Sequence, residues 1–315
     1  MKKMLITGAA GQIGSELTLK LRKRYGEKNV IATDIKYEDD EVAQAGPFHI
    51  LDVTDGEKLS ELVRDYQVDT IIHLAALLSV NAETQPLNAW NLNMGGLMNG
   101  LEVAREHSCK FFTPSSIGAF GPSTVKQETP QVTTQRPTTM YGVSKVASEL
   151  LCDYYHERFD VDTRGLRYPG LISYLTPPGG GTTDYAIEMI DKAVKDQQYT
   201  SYIAAGTFLD MMYMPDAITA TIDLLEADSA RLKNRNAYNI TAMSIDPEML
   251  AAAIRSHIPD FTLHYNVDPH RQSIAESWPD HIDTSAAKAE FGFRPQYDLE
   301  RMTADMIDNL DGKGE

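Results

Sequence analysis

Tyr141 and Lys145 lie four residues apart in a segment that follows a proline-containing loop, and their side chains can act together in proton transfer. Residues at this spacing share one face of a helix, so the ammonium of Lys145 is expected to lie near the phenol oxygen of Tyr141. A free phenol has a pKa of about 10, and a nearby cation lowers that pKa toward neutrality. The pair therefore predicts a tyrosine that removes a proton from a substrate.

Ser116 is the predicted third member of this catalytic set. It lies in the segment 113–121, after the fifth predicted strand, where a hydroxyl points into the crevice at the carboxyl end of a parallel sheet. A hydroxyl there can hydrogen-bond the reacting oxygen of a substrate. The alternative interpretation is that Ser115 and Ser116 only end a strand.

Three glycines predict a dinucleotide site near the start of the chain. Gly8, Gly11 and Gly14 follow the apolar residues 4–7 and open an amphipathic helix. Glycines at these positions form a tight turn, and the N–H groups at the start of the helix then face a pyrophosphate.

Asp34 extends this prediction to the kind of dinucleotide. It ends the next apolar segment, twenty residues after Gly14, where a carboxylate accepts hydrogen bonds from the ribose hydroxyls of adenosine. Because the same carboxylate repels a 2′-phosphate, we expect NAD rather than NADP. Lys36 lies close enough in sequence to soften that preference.

The composition argues against nucleic acid and membranes as partners. The 315-residue chain carries 45 acidic and 29 basic side chains, a net charge of −16, which repels nucleic acid and anionic membrane surfaces. The apolar stretch at 70–80 is too short to span a bilayer, and the first predicted strand begins at residue 2 or 3. We expect a soluble, cytoplasmic protein without a targeting segment.

The cysteines and histidines do not predict a metal site. Cys109 and Cys152 are far apart and have no Cys or His at ligand spacing, and neither C-x-x-C nor H-E-x-x-H occurs. We expect both cysteines to be reduced core residues and His73 to be a packing residue at a strand end.

The elements that must position these residues alternate through the first half of the chain. Strands are predicted near 3–7, 29–34, 47–51, 69–75, 109–114 and 161–167. Helices are predicted near 12–25, 55–65, 84–107 and 139–159. This alternation predicts an α/β fold with a doubly wound parallel sheet, whose strands are joined by right-handed helical crossovers.

The pattern changes after residue 170. Residues 176–184 are rich in proline and glycine, which interrupt regular structure. We predict an NAD-binding Rossmann domain over 1–170 and a smaller C-terminal substrate-binding domain over 171–315.

Part of the second half is expected to return to the main sheet. A strand is predicted around 206–210 and a helix from Pro215. Residues 207–240 should therefore pack on the NAD-binding domain.

Together these motifs resemble those of the extended short-chain dehydrogenase/reductases, in the branch that contains UDP-sugar epimerases and dehydratases. The matching segments are 7–14 with T-G-x-x-G-x-x-G, 74–76 with the strand-four motif, Asn93 with the helix asparagine, and 283–295 with the C-terminal signature. Ser116, Tyr141 and Lys145 match the catalytic set of the family.

The resemblance covers nearly the whole chain and implies a cofactor site and a partner. The implied cofactor-binding residues are Gly8, Gly11, Gln12, Ile13, Gly14, Asp34, Asp52, Val53, Leu74, Ala75, Ala76, Asn93, Lys145 and Tyr168. Members of the family commonly dimerise through two helices, which implies a homodimer formed by the helices near 84–107 and 139–159.

Within the family, three segments are most similar to the short-chain type of L-threonine 3-dehydrogenases: 73–79, 166–173 and 177–186. The resemblance implies NAD-dependent oxidation of the side-chain hydroxyl of L-threonine to L-2-amino-3-oxobutyrate. Tyr141 would be the general base, and no metal would be needed.

Threonine carries an ammonium, a carboxylate and a hydroxyl, so its pocket should be small and hold opposite charges. Backbone N–H groups of 179–183 are predicted to bind the carboxylate with the hydroxyls of Ser79, Thr182 and Thr183. Asp184 is expected either to neutralise the ammonium or to fix the loop.

Trp278 also has two interpretations. By its match to the family it closes over the substrate, and otherwise it packs a loop onto the domain. The predicted substrate-binding residues are Ser79, Ser116, Tyr141, Thr182, Thr183, Asp184 and Trp278.

Two other functions fit part of the pattern. A UDP-hexose 4-epimerase has the same catalytic residues but returns the hydride and releases no NADH. It would need cations for a pyrophosphate, and residues 170–205 offer only Lys192 and Lys195. A non-catalytic dinucleotide-sensing protein would keep the glycine turn, although such proteins usually lose the tyrosine or the lysine.

Overall fold

The computed structural model describes residues 1–37, 40–175 and 179–311, and fourteen strands lie within them. They are β1 (Met4–Thr7), β2 (Val30–Asp34), β3 (Phe48–Ile50), β4 (Thr70–His73), β5 (Lys110–Phe112), β6 (Ser115–Ser116), β7 (Thr163–Arg164), β8 (Leu166–Tyr168), β9 (Gly170–Ile172), β10 (Gln198–Ser201), β11 (Leu209–Tyr213), β12 (Tyr238–Asn239), β13 (Met243–Ile245) and β14 (Thr262–Tyr265).

Six of these strands form the central sheet, in the order β3-β2-β1-β4-β5-β7. Every neighbouring pair is parallel. The register aligns Thr7 at the end of β1 with Thr33 of β2 and His73 of β4, so the carboxyl ends of these strands lie side by side. The predicted α/β fold with a doubly wound parallel sheet is confirmed, and a ligand crevice is expected at that edge.

Twelve helices lie in the same described part of the chain. They are α1 (Gln12–Tyr25), α2 (Glu41–Gln44), α3 (Gly56–Tyr66), α4 (Ser79–Thr84), α5 (Pro86–His107), α6 (Met140–Phe159), α7 (Tyr185–Asp196), α8 (Met214–Glu226), α9 (Pro247–Arg255), α10 (Pro269–Glu276), α11 (Ser285–Phe291) and α12 (Leu299–Asp311). No described helix is both long enough and apolar enough to cross a membrane.

Alternating side chains of the central strands enter two hydrophobic clusters, one on each face of the sheet. On β1, Leu5 belongs to a cluster that contains residues of α3, α5 and α6, whereas Met4 and Ile6 belong to one with residues of α1 and α8. Alternating side chains that are apolar on both faces are what a sheet covered by helices on both sides requires. Cys109 and Cys152 lie buried in the first cluster and are free, as predicted.

The second half of the chain departs from the prediction at one strand. The strand expected around 206–210 is β11, which starts at Leu209 and pairs with β9 and β13 instead of the central sheet. Gly170 of β9 lies opposite Met211 of β11, and because a Cβ on Gly170 would lie 2.3 Å from the Met211 sulfur, the glycine permits this close approach of the two strands. The helix predicted from Pro215 is α8, and it does pack on α1.

A third cluster forms the core of the smaller region and reaches the crevice. It joins Tyr185 of α7, Leu250 of α9 and Met306 of α12 with Trp278, and it also contains Ile117 at the end of β6. The helix α11, by contrast, contributes to the cluster of α1 and α8. Of the proline- and glycine-rich segment predicted to break the pattern, residues 176–178 lie outside the described residues.

Candidate active site

The turn from β1 to α1 depends on two glycines whose surroundings leave no room for a side chain. Gly8 has a φ of +71°, and a Cβ there would lie 2.7 Å from the backbone nitrogen of Ala75. A Cβ on Gly14 would lie 2.1 Å from the carbonyl oxygen of Gly8. The first glycine permits the left-handed turn, and the second lets α1 pack directly on it.

The start of α1 has unused hydrogen-bond donors. Gly11 is the N-cap of α1, and no described side chain caps the first N–H groups of the helix. The buried Nε2 of Gln12 also has no partner among the described residues. Unsatisfied N–H groups and the positive end of the helix dipole attract an anion. These residues therefore fit the pyrophosphate of a dinucleotide, and Ile13 lines the same cavity.

Asp34 lies where the sequence predicts it, at the end of β2 beside the glycine turn. Its Oδ2 accepts a hydrogen bond from the backbone N–H of Ala10 at 3.0 Å, and its Oδ1 accepts one from Ile35 at 2.8 Å. The half-buried carboxylate is thus fixed next to the start of α1, while Lys36 is exposed.

The other predicted cofactor residues divide into two groups. Leu74, Ala76 and Tyr168 line the cavity. Asn93 is buried and holds the backbone of Leu77, accepting from its N–H at 2.8 Å and donating to its carbonyl at 3.1 Å. Asn93 therefore fixes the backbone of the segment that follows β4.

Asp52 and Val53 do not line the cavity. The exposed Asp52 carboxylate accepts hydrogen bonds from the backbone N–H and the hydroxyl of Thr54, at 2.9 and 2.7 Å. Val53 is buried against α5, where a Cβ on Gly96 would lie 2.7 Å from it.

His73 is a packing residue, as predicted. It is 3% exposed, stacks on Phe111, and its Nδ1 shares a hydrogen bond of 3.0 Å with the hydroxyl of Thr7. Burial, together with the charge of Lys145, lowers the pKa of its imidazole to about 3, so the ring is neutral at physiological pH.

Ser116, Tyr141 and Lys145 meet at one wall of the cavity. The strand β6 brings in Ser116, whose hydroxyl accepts the N–H of Gly118 at 3.1 Å. The first two turns of α6 supply Tyr141 and Lys145. The Lys145 Nζ donates to the carbonyl of Pro114 at 2.7 Å and lies 5.4 Å from the centroid of the Tyr141 ring.

In the protein alone, the phenol of Tyr141 is not acidified. Burial raises the pKa of the phenol to about 12, although the hydrogen bond from Ser116 opposes the rise. Burial also lowers the pKa of Lys145 to about 8, and the charge of Glu149 opposes that fall. Lys145 alone therefore does not acidify the phenol, because its ammonium bonds to Pro114 and because desolvation outweighs a cation at this distance.

Asp184 fixes the loop, which is one of the two roles the sequence left open. Its Oδ2 accepts hydrogen bonds from the backbone N–H groups of Gly180 and Gly181, at 2.9 and 2.6 Å. These two N–H groups are therefore not free to bind a substrate carboxylate, contrary to the prediction for 179–183. Burial raises the pKa of Asp184, and the two bonds oppose the rise.

Thr182 lines the cavity and has a buried hydroxyl without a described partner. The residue is 1% exposed, and its Oγ1 has no hydrogen-bond partner in the described part of the chain. Ser79 and Thr183 line the same cavity. An unpaired buried hydroxyl costs free energy, so it marks a place where a polar ligand group would be stabilised.

Trp278 packs in the core of the smaller region and also lines the cavity. Its side chain is 6% exposed and belongs to the core cluster of the smaller region, yet it also lines the cavity. It therefore packs the loop onto the domain and presents an aromatic surface to any ligand.

The cavity encloses about 1110 Å³, part of it open to solvent. Among the described residues that line it, Lys145 is the only lysine or arginine. Lys192 and Lys195 instead pair with Asp196 and Asp191 on the surface of α7. No described group of three or more His, Cys, Asp or Glu side chains is arranged to hold a metal ion.

Comparison with known proteins places this geometry in a family. Residues 4–241 match the model of the NAD dependent epimerase/dehydratase family. The chain belongs to this family. An uncharacterised epimerase/dehydratase of Staphylococcus saprophyticus is 62% identical over 314 residues, which cover 99% of this chain and 98% of the relative.

Solved structures of similar family members bear a more specific name. The L-threonine dehydrogenase of Clostridium difficile is 61% identical, with a TM-score of 0.98 over 100% of this chain and 99% of that one. The GalE-like L-threonine dehydrogenase of Cupriavidus necator, in its holo form, is 48% identical, with a TM-score of 0.95 over 98% and 99%. Together with the family, these structures support an NAD-dependent oxidoreductase.

Local motifs do not indicate two residues, Glu149 and Arg167, that lie behind the cavity wall formed by Ser116, Tyr141 and Lys145. Ser115 donates a hydrogen bond to Glu149, and Glu149 pairs with Arg167. One signal was present in the sequence, since Glu149 follows Lys145 by four residues and shares its helix face. The partner Arg167 lies on another strand, and no local pattern indicates their contact.

Proposed function

We propose that this protein oxidises the side-chain hydroxyl of L-threonine to L-2-amino-3-oxobutyrate, with NAD as the oxidant. The observation that carries the proposal is the unpartnered, buried hydroxyl of Thr182, which lines the same cavity as Ser116 and Tyr141. A small polar substrate can bond to Thr182 at one end and to the serine–tyrosine pair at the other. The threonine dehydrogenases of similar structure support this choice.

The charges of the cavity favour threonine over a UDP-sugar. The start of α1 would already hold the cofactor pyrophosphate, so the second pyrophosphate of a UDP-sugar would need other partners, and among the described lining residues Lys145 is the one lysine or arginine. A zwitterion carries no net charge and does not need such a cluster.

The proposed cofactor site comprises the glycine turn, the start of α1 and Asp34. NAD, when bound, supplies an acceptor for the hydride of the alcohol carbon. Gly8, Gly11, Gly14 and Gln12 would hold the pyrophosphate, and Asp34 would take the adenosine ribose. Leu74, Ala75, Ala76 and Tyr168 would form the wall, which Asn93 shapes.

In the proposed mechanism, the hydroxyl of threonine lies between Ser116 and Tyr141. Ser116 hydrogen-bonds the reacting oxygen, and Tyr141 in its phenolate form takes the hydroxyl proton while the C–H bond breaks. Lys145 would hold the nicotinamide ribose of a bound cofactor and would add positive charge. Because the pKa of the phenol is about 12 in the protein alone, the phenolate needs a further positive charge nearby, which the oxidised cofactor would bring.

The proposed substrate site uses side chains more than backbone. Thr182, with Thr183 and Ser79, would bind the carboxylate, and Trp278 would cover the ligand. Asp184 would act through the loop that it fixes.

We further propose the organisation of the chain. Residues 1–170 form the NAD-binding domain, on which α8 and α11 pack, and the rest of 171–315 forms the smaller substrate-binding domain. A cytoplasmic location agrees with the two free, buried cysteines.

A homodimer through α5 and α6 is proposed because these helices expose large apolar side chains. The exposed fractions are 39% for Trp90 and 36% for Met98 on α5, and 42% for Val143, 64% for Leu150 and 52% for Tyr154 on α6. Apolar groups concentrated on two neighbouring helices mark an interaction surface.

An absorbance assay tests the proposed function. NADH formation from NAD is followed with L-threonine and compared with L-serine, D-threonine and UDP-galactose. We expect rapid NADH release with L-threonine alone. NADH release with another substrate, or no NADH release with L-threonine, would refute the assignment.

A further inference from the structure

Glu149 and Arg167 form an ion pair behind the wall that carries Ser116, Tyr141 and Lys145. Glu149 is 5% exposed and Arg167 is 6% exposed. The guanidinium donates from Nη2 to Oε2 at 2.8 Å and from Nε to Oε1 at 3.0 Å. A two-bond contact of this kind fixes both the distance and the orientation of the partners.

The same carboxylate joins two elements of the active site. Its Oε1 accepts a hydrogen bond from the hydroxyl of Ser115, the residue directly before Ser116 on β6. On α6, Glu149 lies one turn after Lys145 and two turns after Tyr141. Glu149 itself does not line the cavity.

We propose that Glu149 is a positioning residue for the reaction: its carboxylate holds the strand of Ser116 against the helix of Tyr141 and Lys145. The hydroxyl, the phenol and the ammonium can then meet around one substrate oxygen. Arg167 orients the carboxylate through two bonds, and Gln135 donates a further bond to Oε2 at 2.8 Å. The inference rests on the proposed function, because it assigns Ser116, Tyr141 and Lys145 to the reaction.

The charge of Glu149 also acts on Lys145. The ammonium faces the neutral His73 from β4, and on its own helix it faces Tyr141, Glu149 and Cys152. Among these groups Glu149 carries a carboxylate. Its charge raises the pKa of Lys145, whereas burial lowers that pKa. Removing that charge should let Lys145 lose its proton at a lower pH.

The first test removes the hydrogen bond between Ser115 and Glu149 and leaves the ion pair of Glu149 with Arg167 in place. Ser115→Ala removes the hydroxyl that joins β6 to Glu149, and we expect kcat to fall about tenfold with KM within twofold. The matched control is Thr163→Val, because the Thr163 hydroxyl ties β7 to the carbonyl of Cys152 on the same helix, at 3.0 Å. The control should keep kcat within twofold. Wild-type kcat in Ser115→Ala, or an equal loss in both variants, would overturn the proposal.

The second test needs no turnover. The affinity for NAD is measured by titration as a function of pH in wild type, Glu149→Gln and Ser115→Ala. If Lys145 holds the ribose, affinity falls as Lys145 loses its proton, and we expect the midpoint to move about one pH unit lower in Glu149→Gln alone. An unchanged midpoint would overturn the electrostatic part of the proposal.

The two tests separate this proposal from the proposed function. If wild type does not oxidise L-threonine, the function fails, yet the titration with NAD still reports on Glu149 and Lys145. If Glu149→Gln does not fold, the comparison of Ser115→Ala with Thr163→Val still shows whether the hydrogen bond between Ser115 and Glu149 affects kcat.

Discussion

The cofactor side and the substrate side of the cavity are built in opposite ways. At the start of α1 the hydrogen-bond donors are left unused, including the amide of Gln12. In the loop at 179–184, Gly180 and Gly181 already donate to Asp184, and the buried hydroxyl of Thr182 has no described partner. Under the proposed function, the contrast means that a cofactor pyrophosphate would meet a prepared set of backbone donors, whereas a small zwitterion would meet a few side chains on a fixed loop.

The largest expected effect lies where the two sides meet. Tyr141→Phe should lower kcat about a thousandfold, because it removes the proposed general base, while NAD binding stays near that of wild type. Turnover and NAD titration measure the two quantities. Tyr185→Phe is the matched control, since the Tyr185 hydroxyl is buried without a described partner and lies outside the cavity. Near-normal turnover in Tyr141→Phe would remove Tyr141 from the mechanism.

The affinity for NAD should fall when the close packing of the glycine turn is disturbed. Gly14→Ala places a Cβ 2.1 Å from the Gly8 carbonyl, an overpacking of about 1–3 kcal/mol. If the strain appears in the bound state, NAD binds about ten- to a hundredfold more weakly. Gly95→Ala, in α5, meets no described atom within 4 Å and should keep the wild-type affinity. Equal affinities by titration calorimetry in Gly14→Ala and wild type would contradict this account of the turn.

The dependence on pH tests the chemistry between the two sides. Because burial raises the pKa of Tyr141, the phenolate is scarce at low pH and becomes more abundant as pH rises. We therefore expect kcat to increase between pH 6 and 8, by up to about tenfold per pH unit. A kcat that is flat or falling over this range would mean that the ionisation of Tyr141 does not limit the reaction.

The substrate side should respond to the loss of a single hydroxyl. Thr182→Val should raise KM for L-threonine about tenfold and leave the affinity for NAD unchanged, since one hydrogen bond to a charged group is lost. Thr18→Val is the control, because the Thr18 hydroxyl is also buried without a described partner but does not line the cavity. The same KM in Thr182→Val and wild type would mean that Thr182 does not bind the substrate.

The smallest effect is expected from loosening the loop. Asp184→Asn removes the charge that accepts the Gly180 and Gly181 N–H groups and should raise KM for L-threonine about threefold. Asp246→Asn is the control, since Asp246 also accepts two backbone N–H groups, from Gly206 and Met249, outside the cavity. A lower KM in Asp184→Asn would instead show that the freed N–H groups bind the substrate carboxylate.

Local spacing is enough to predict the cofactor side. The glycines at 8, 11 and 14, with Asp34 after the second strand, lie within 34 residues, and the alternation of strands and helices specifies the parallel sheet around them. The strand at Leu209–Tyr213 was placed three residues early and in the wrong sheet. Its pairing with β9, which sets Met211 opposite Gly170, is a tertiary contact that no local pattern shows.

The substrate side depends more on contacts that local spacing does not show. The sequence predicts that Tyr141 and Lys145 share a helix face, but not that Lys145 bonds to the carbonyl of Pro114 or that burial raises the pKa of the phenol. It offers two roles for Asp184, and only folded coordinates show which backbone groups the carboxylate accepts. The pairing of Glu149 with Arg167 is likewise tertiary.

Transfer of isotope tests the central claim most directly. L-Threonine that carries deuterium on its β-carbon is incubated with NAD and the protein, and the reduced cofactor is isolated and analysed by mass spectrometry. We predict one deuterium in each NADH formed, because the hydride leaves the carbon whose hydroxyl is oxidised. Unlabelled NADH, or no NADH at all, would contradict the proposal that this cavity oxidises the hydroxyl of threonine.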